Sequence, residues 1–273
     1  MSEMSELEKL QRMCRVVRED ILRMIAAAGS GHPGGSLSAV EILVGLYFSR
    51  LRHRPAEPDW AERDRFILSK GHIAPALYAV MAHAGYFPRE ELLTLRKLGS
   101  RLQGHPAKGR PPGIEVSTGS LGQGLSIGVG LAVAAKLCGY PWRTYVLMGD
   151  GEIQEGQIWE AAMSAGHYRL DNLCGIVDRN YMQIDGSTED VMMLDPCADK
   201  WRAFNWHVIE IDGHDIAQVV AAYDEAASVK NKPTVIVART IKGKGVPFME
   251  NKAAWHGKAP NAQELELALS QLY

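Results

Sequence analysis

Two residues able to hold a hard cation stand at matched places in the chain. Asp150 follows the apolar run Thr144-Tyr-Val-Leu-Met-Gly149, and Asn180 comes just after the run Asn172-Leu-Cys-Gly-Ile-Val-Asp178. Each run is of strand type and ends abruptly beside a turn. Thirty residues separate Asp150 from Asn180, the length of one strand–helix–strand step. In a parallel sheet such a step brings both residues to one crevice at the carboxy ends of neighbouring strands. One carboxylate and one amide oxygen leave an octahedral ion such as Mg²⁺ short of ligands, a deficit that phosphates and water commonly fill. A backbone carbonyl just after Asn180 can add a third protein oxygen. Gly149 and Gly151 leave bare backbone against which a phosphate can lie. An Asp-Gly turn alone is common, but this spacing points to a metal diphosphate.

Histidines form the second chemical set. Of nine in the chain, His32, His72 and His105 each sit in a glycine-flanked turn: Gly31-His-Pro-Gly-Gly35, Ser69-Lys-Gly-His72 and Gly104-His-Pro106. Imidazole takes and returns protons near neutral pH, so histidines held in rigid turns suit acid–base work. His53, His83, His167 and His207 lack such context and read as structural. His214, in Asp212-Gly-His-Asp215, can shape a turn at a strand end, and its role stays open. Gly119-Ser-Leu-Gly-Gln-Gly124 leads into a small-residue helix, Leu125 to Leu137, whose amino end attracts phosphate. With glycines at 119, 122 and 124 it is not a dinucleotide fingerprint.

Regular elements must hold these residues. From Glu6 to Ala28 apolar residues recur at helical spacing (Leu7, Leu10, Met13, Cys14, Val17, Ile21, Leu22, Ile25) and stop at Gly29-Ser-Gly31, which predicts an amphipathic helix. After a loop from Gly29 to Ser36, a second helix is expected from Ser38 to about Leu51. Arg65 to Ser69 reads as a short buried strand that delivers Lys70-Gly-His72. Ala76 to Ala84 reads as a helix, Pro88 opens another through Leu98, and a long loop runs from Arg101 to Pro112. Beyond the central unit come a helix (Glu155 to Tyr168), the strand ending at Asp178, and a loop containing Met192-Met-Leu194. A strand (His207 to Ile211), a helix (Ile216 to Val229) and a last strand (Pro233 to Arg239) follow, then the basic loop Lys242-Gly-Lys-Gly245. Strict alternation predicts an α/β fold, a mainly parallel sheet with helices on both faces. One domain is expected over 1–252, with a tail over 253–273 whose short helix from Asn261 packs on it.

With 46% hydrophobic and 23% charged residues over 273 positions, the chain has ordinary globular composition and enough length for a large core. A net charge of −2 offers no basic field for nucleic acid or an anionic membrane, so any anion must be held locally. Cys14, Cys138, Cys174 and Cys197 form no CxxC pair and sit mostly among apolar neighbours, as buried free thiols of a reducing compartment do. The start, Met1 to Gln11, is acidic and polar, and no apolar run approaches the ~20 residues of a membrane span. A cytoplasmic setting is expected.

The stretch from Gly149-Asp-Gly-Glu-Ile-Gln-Glu-Gly156 through Asn180 resembles the thiamine-diphosphate motif, and its wording resembles the transketolase family. The likeness extends over nearly the whole chain, through the three histidine turns, Ser117-Thr-Gly-Ser-Leu-Gly-Gln-Gly124, Asp212-Gly-His-Asp215 and Trp255-His-Gly257. It implies a thiamine-diphosphate-binding (PP-type) fold, with thiamine diphosphate and Mg²⁺ as cofactors and Ca²⁺ or Mn²⁺ as possible substitutes. By this resemblance Asp150 and Asn180 ligate the metal through side chains and Met182 through its carbonyl. An aliphatic residue is more usual at 182, a change of small consequence for a backbone ligand. The resemblance places His72, Gly119, Ser120, Leu121, Gly149, Asp150, Gly151, Glu152, Glu155, Asn180 and His256 at the cofactor. It places His32, His72, His105 and His256 along the substrate channel as catalytic groups. Ketol transfer needs protons removed from and returned to sugar hydroxyls, a task imidazoles suit. Glu155 and Glu160 match family acids near the subunit interface.

The family's cofactor lies across two chains, one domain holding diphosphate and metal and another holding the aminopyrimidine with an activating glutamate. This chain stops at Tyr273, about where the first of those domains should end. The resemblance therefore implies the amino-terminal subunit of a split transketolase that transfers a two-carbon ketol unit from a ketose (phosphate) to an aldose (phosphate). Its expected partner is a carboxy-terminal subunit with the pyrimidine-binding and carboxy-terminal domains, assembled as an α2β2 heterotetramer. Sugars or sugar phosphates are the expected substrates, with no nucleic acid and no membrane. Two alternatives stay open: half of a deoxyxylulose-phosphate-synthase-like enzyme, and a non-catalytic binding or regulatory subunit.

Overall fold

The structure is a computed structural model and describes residues 4–272. The outermost positions of the expected domain and tail, 1–3 and 273, lie outside the described residues. Its centre is a parallel five-stranded sheet in the order β1-β2-β3-β7-β6. The strands are β1 (Arg65–Leu68), β2 (Thr144–Gly149), β3 (Leu173–Arg179), β6 (His207–Asp212) and β7 (Thr234–Arg239), with a two-residue hairpin of β4 (Met182–Gln183) and β5 (Gly186–Ser187) after β3. The helices are α1 (Glu6–Ala28), α2 (Pro33–Ser38), α3 (Val40–Gly45), α4 (Ala74–His83), α5 (Gln123–Cys138), α6 (Gly156–His167), α7 (Thr188–Val191), α8 (Cys197–Ala203), α9 (Ile216–Ser228) and α10 (Ala262–Gln271).

Strand side chains alternate between faces, and the two cores follow that period of two. Tyr145 and Leu147 of β2, with Cys174 and Ile176 of β3, join the core under α1, α3, α4 and α9. Val146 and Met148, with Leu173 and Val177, join the core under α5, α6 and α8. Helices therefore cover both faces, as the alternation of elements predicts. Every residue of β2 and β3 is buried, which explains their unbroken apolar reading. Gly149 pairs in register with Asp178, so the neighbouring strands β2 and β3 end together.

α1 begins at a capping box in which Ser5 and Glu8 satisfy each other's backbone, and it ends at Gly29 with φ 62°, the left-handed C-cap that glycine favours. Its buried face holds Leu10, Cys14, Val17, Ile21, Leu22 and Ile25, whereas Leu7 is exposed. The expected helix from Ser38 to Leu51 is instead three pieces. Helical backbone starts at Pro33, whose missing N–H costs nothing at a first turn, breaks at Ala39, and closes in a wide turn over Leu46–Arg50. Between Pro88 and Leu98 only the 3₁₀ turn Arg89–Thr94 forms. Arg96 at φ 59° and Gly99 at φ 82° turn the chain left-handed and end it there. The tail helix α10 starts at an Asn261 capping box and brings Ala268 into the core with α1. Cys14, Cys174 and Cys197 are buried, but Cys138 is exposed, a correction to its apolar reading: it is the last residue of α5, where the chain leaves the core. No helix among the described residues is long and apolar enough to cross a membrane.

Candidate active site

The carboxy ends of β1, β2, β3 and β7 stand in a row, and a cleft of ≈ 380 Å³ opens above them. Of the residues singled out by sequence, the cleft is lined by His32, His72, Gly119, Leu121, Gly149, Asp150, Gly151, Glu152, Glu155, Asn180, Met182 and His256. Ser120 and His105 are exposed outside this lining. His105 stands one step behind the rim, its ring so close to Gly119 that a Cβ there would lie 2.8 Å from Cδ2. Glu160 is exposed on α6.

Asp150 leaves β2 almost fully buried. Its Oδ1 accepts from the Gly151 N–H at 2.9 Å and its Oδ2 from the Tyr181 N–H at 2.5 Å. Burial, and then the neighbouring Asp178, push the Asp150 carboxyl up to about 6 despite Arg179 and Lys70. Asn180 Oδ1 accepts from the Met182 N–H at 3.2 Å, so the two side-chain oxygens are oriented by the loop that also carries the Met182 carbonyl. Among the described residues no three His, Cys, Asp or Glu side chains gather as a metal cage. One carboxylate, one amide and a carbonyl fit a hard cation that takes its other oxygens from a phosphate.

Cations complete that arrangement. Lys70, buried after β1, and Lys242, buried after β7, both line the cleft. The Lys70 ammonium pairs with the fully buried Asp178, which also accepts from Ser38 and Thr240. Burial lowers Lys242 to about 8, and its Nζ lies 2.8 Å from His256 Nδ1. Glu152 spends its carboxylate inside the protein: Oε1 accepts from Ser69 Oγ at 2.5 Å and the Gly122 N–H at 3.0 Å, and Oε2 from the Gly149 N–H at 3.1 Å. It thereby ties the ends of β1 and β2 to the start of α5. The cradle is tight: a Cβ on Gly151 would lie 2.8 Å from Gln183, and one on Gly71 2.7 Å from Thr118.

In the same cleft, three imidazoles form a triangle with centroid separations of 5.2 Å (His32–His72), 5.4 Å (His32–His256) and 5.3 Å (His72–His256). Burial, followed by nearby cations, lowers His32 to about 4 and His256 to about 3, and His72 lies well below its usual range for the same reasons. All three are neutral bases at pH 7. Among the described residues His32 Nδ1, a buried atom, has no hydrogen-bond partner. Burial and then the Arg96 charge lower His105 as well, and Arg96 also acts on His32.

Sequence reasoning passed over Lys70, Lys242, Gln183, Ile184 and the organising Asp178. A signal existed for two of them. Lys70 lies inside the Ser69–His72 turn and Lys242 opens a basic glycine loop, each just past a strand end.

The description "Transketolase, thiamine diphosphate binding domain" fits residues 9–272. The chain is 48% identical over 263 residues to the 6-deoxy-6-sulfo-D-fructose transketolase subunit SqwG of Clostridium sp. (strain MSTE9), covering 96% of each. It is 43% identical to an apulose-4-phosphate transketolase subunit of Phocaeicola vulgatus, covering 98% of this chain and 95% of that one. Among solved structures, the transketolase of Campylobacter jejuni superposes with a TM-score of 0.92 at 32% identity, over 98% of this chain and 43% of that one.

Proposed function

Because the chain belongs to the transketolase family through its thiamine diphosphate-binding domain, we propose that it is the diphosphate-binding subunit of a two-polypeptide transketolase. It works with a separate carboxy-terminal subunit to move a two-carbon ketol unit from a ketose or ketose phosphate to an aldose acceptor. The observation that carries this reading is the joining, in one cleft, of an oxygen set suited to a metal diphosphate with a triangle of neutral histidines.

In this reading the Asp150 and Asn180 side chains and the Met182 carbonyl hold a divalent cation, Mg²⁺ by its chemistry, with Ca²⁺ or Mn²⁺ as substitutes. Lys70, Lys242 and the bare backbone at Gly149 and Gly151 receive the diphosphate. Bound thiamine diphosphate supplies the nucleophilic carbon that carries the two-carbon unit. His32, His72 and His256, with His105 on the lip, orient substrate hydroxyls, and as uncharged imidazoles they can take a proton at one nitrogen and return it. Glu155 at the rim and Glu160, exposed on α6, face a second protomer, in an α2β2 assembly. Unpaired thiols, mostly buried, suit a cytoplasmic setting.

The test is reconstitution. The chain is purified, with or without the carboxy-terminal half of a transketolase, and given thiamine diphosphate, Mg²⁺, a ketose phosphate donor and an aldose phosphate acceptor. Ketol transfer appears only in the mixture. Transfer by this chain alone would refute the two-polypeptide reading, and carbon dioxide release from pyruvate in place of ketol transfer would refute the reaction.

A further inference from the structure

One buried charged cluster lies outside the cleft and is unused by the function above. Arg18 on α1 and Glu41 on α3 are each 7% exposed and meet as a bidentate pair, with Nη1–Oε1 and Nη2–Oε2 both at 2.7 Å. His214, in the turn after β6, joins them with Nδ1 3.0 Å from Glu41 Oε2. Its other nitrogen, Nε2, receives the Ile241 backbone N–H at 2.8 Å. A backbone N–H can only donate, so Nε2 must accept and Nδ1 carries the proton that it donates to Glu41. The tautomer is fixed by two partners.

The cluster grips one loop at both ends. His214 takes the N–H of Ile241, where the chain has just left β7 and that donor has no strand to pair with. Arg18 Nε donates to the Lys244 carbonyl at 3.2 Å. Between these clamps stands Lys242, whose ammonium reaches the cleft and His256. Its stem is confined as well: a Cβ on Gly34 would lie 3.0 Å from Lys242 Cγ, and Gly34 O accepts from the Gly243 N–H at 2.9 Å. A buried ion pair joined by a partly buried histidine is a costly way to stabilise a core, since well-packed apolar residues often do as well. A two-point clamp on the loop bearing a cleft cation gives the cluster a purpose that stability does not.

We propose that His214, backed by Glu41 and Arg18, is a positioning residue that sets the 241–244 loop so that the Lys242 ammonium is held against His256 at the diphosphate end of the cleft. The part concerning diphosphate rests on the function proposed above, whereas the loop geometry does not.

Two substitutions separate the bonds. His214→Asn keeps an amide N–H at the Nδ1 position for Glu41 and releases Ile241. His214→Gln keeps a carbonyl at the Nε2 position for Ile241 and releases Glu41. The first readout needs no cofactor: acetic anhydride labelling of the apo chain, quantified by mass spectrometry at Lys242. His214→Asn raises the rate at Lys242 several-fold and leaves the exposed lysines unchanged, and His214→Gln restores a rate near the parent's. The second readout is thiamine diphosphate affinity with Mg²⁺, measured on the chain assembled with its carboxy-terminal partner. His214→Asn weakens it about tenfold in the parent and not at all in a Lys242→Ala background, as expected of a residue acting through Lys242. An unchanged labelling rate in His214→Asn overturns the proposal, as does an equal loss of affinity in both backgrounds. Absence of cofactor binding by the parent even with its carboxy-terminal partner present would refute the proposed function, while the labelling still decides the loop's role. Should His214→Asn not fold, Arg18→Lys releases only the Lys244 end, and it too must raise Lys242 labelling for the proposal to stand.

Discussion

Replacing Glu152 by Gln should destabilise this domain and loosen its cofactor cradle, by amounts that follow from three hydrogen bonds. The carboxylate accepts from Ser69, Gly122 and Gly149 and donates to nothing. An amide can keep its oxygen toward Ser69 and Gly122, but then its NH₂ faces the Gly149 N–H, donor against donor. One charge-assisted bond is lost, worth about 1.5–3 kcal/mol, and two buried donors are stranded at about 1–3 kcal/mol. Relief of a buried charge offsets part of this, because burial is the leading influence on Glu152 and holds its carboxyl above the usual range. The net cost should be about 2–4 kcal/mol, or a fall in Tm of roughly 5–10 °C for a domain of this size. Since Gly149 lines the cleft and Gly122 directly follows the lining residue Leu121, thiamine diphosphate affinity should fall at least about tenfold. Urea denaturation and cofactor titration at pH 7.5 measure both. A variant within roughly 0.5 kcal/mol of the parent, with parental affinity, would refute the reasoning. That result is what a protonated Glu152, for which Gln is a fair copy, would give.

Lys70→Met should cost about 3–5 kcal/mol because it strands the buried Asp178 carboxylate, and adding Asp178→Asn should recover part of the loss; additive costs in denaturation would show that the pair is not coupled. Asp150→Ala should abolish Mg²⁺-dependent thiamine diphosphate binding while the fold survives by circular dichroism, and chelation of divalent ions should do the same to the parent; retained binding in either case would rule out Asp150 as a metal ligand. His32 and His256, held at about 4 and about 3, favour the neutral ring in the folded chain, so the stability they contribute is present above the unfolded value near 6.5 and is lost as pH falls from there through about 4. Denaturation of the apo chain between pH 7.5 and 4.5 should show that decline, and His32→Gln with His256→Gln should flatten it. Of the four thiols, only Cys138 should react quickly with Ellman's reagent in the folded state, since the other three are buried and burial raises Cys174 to about 12 and Cys197 to about 11.

Where the chain obeys local rules, its sequence was a sufficient guide. The strands β2, β3 and β7 are short apolar runs ended by turn residues, and each lies within a residue or so of its expected span. α1 carries both its start and its stop signal in the chain, the Ser5–Glu8 box and Gly29. Departures occur where tertiary packing overrides local preference. Gly34 and Gly35 look like loop formers, yet they lie in α2, packed so closely that Trp255 O and Ile73 would each be 2.9 Å from a Cβ there, leaving room for nothing larger. The Arg89–Thr94 segment has helix-forming residues but is too short to propagate before Arg96 and Gly99 turn it, and helices of that length need outside support.

The site divides along the same line. Asp150 and Asn180 were legible as a pair because one strand–helix–strand step joins them, and local connectivity implies adjacency. The lysines were not, because their adjacency depends on strand order. β1 precedes β2 by dozens of residues and β7 follows β3 after a further strand, yet the order β1-β2-β3-β7 sets Lys70 on one side of the Asp150–Asn180 pair and Lys242 on the other. Asp178 holds this row together, taking the Lys70 ammonium from the β1 side and the Thr240 hydroxyl from the β7 side. In the sequence it is only the last polar residue of an apolar strand. Arg179, next to it in the chain, points to the other face of the strand and pairs with Asp150, Glu189 and Asp195, so the buried Asp178 carboxylate must find its cation elsewhere, at the end of an adjacent strand. Read that way, Asp178 predicts a lysine or arginine at a neighbouring strand end before any strand order is known, and Lys70, two residues past β1, satisfies it.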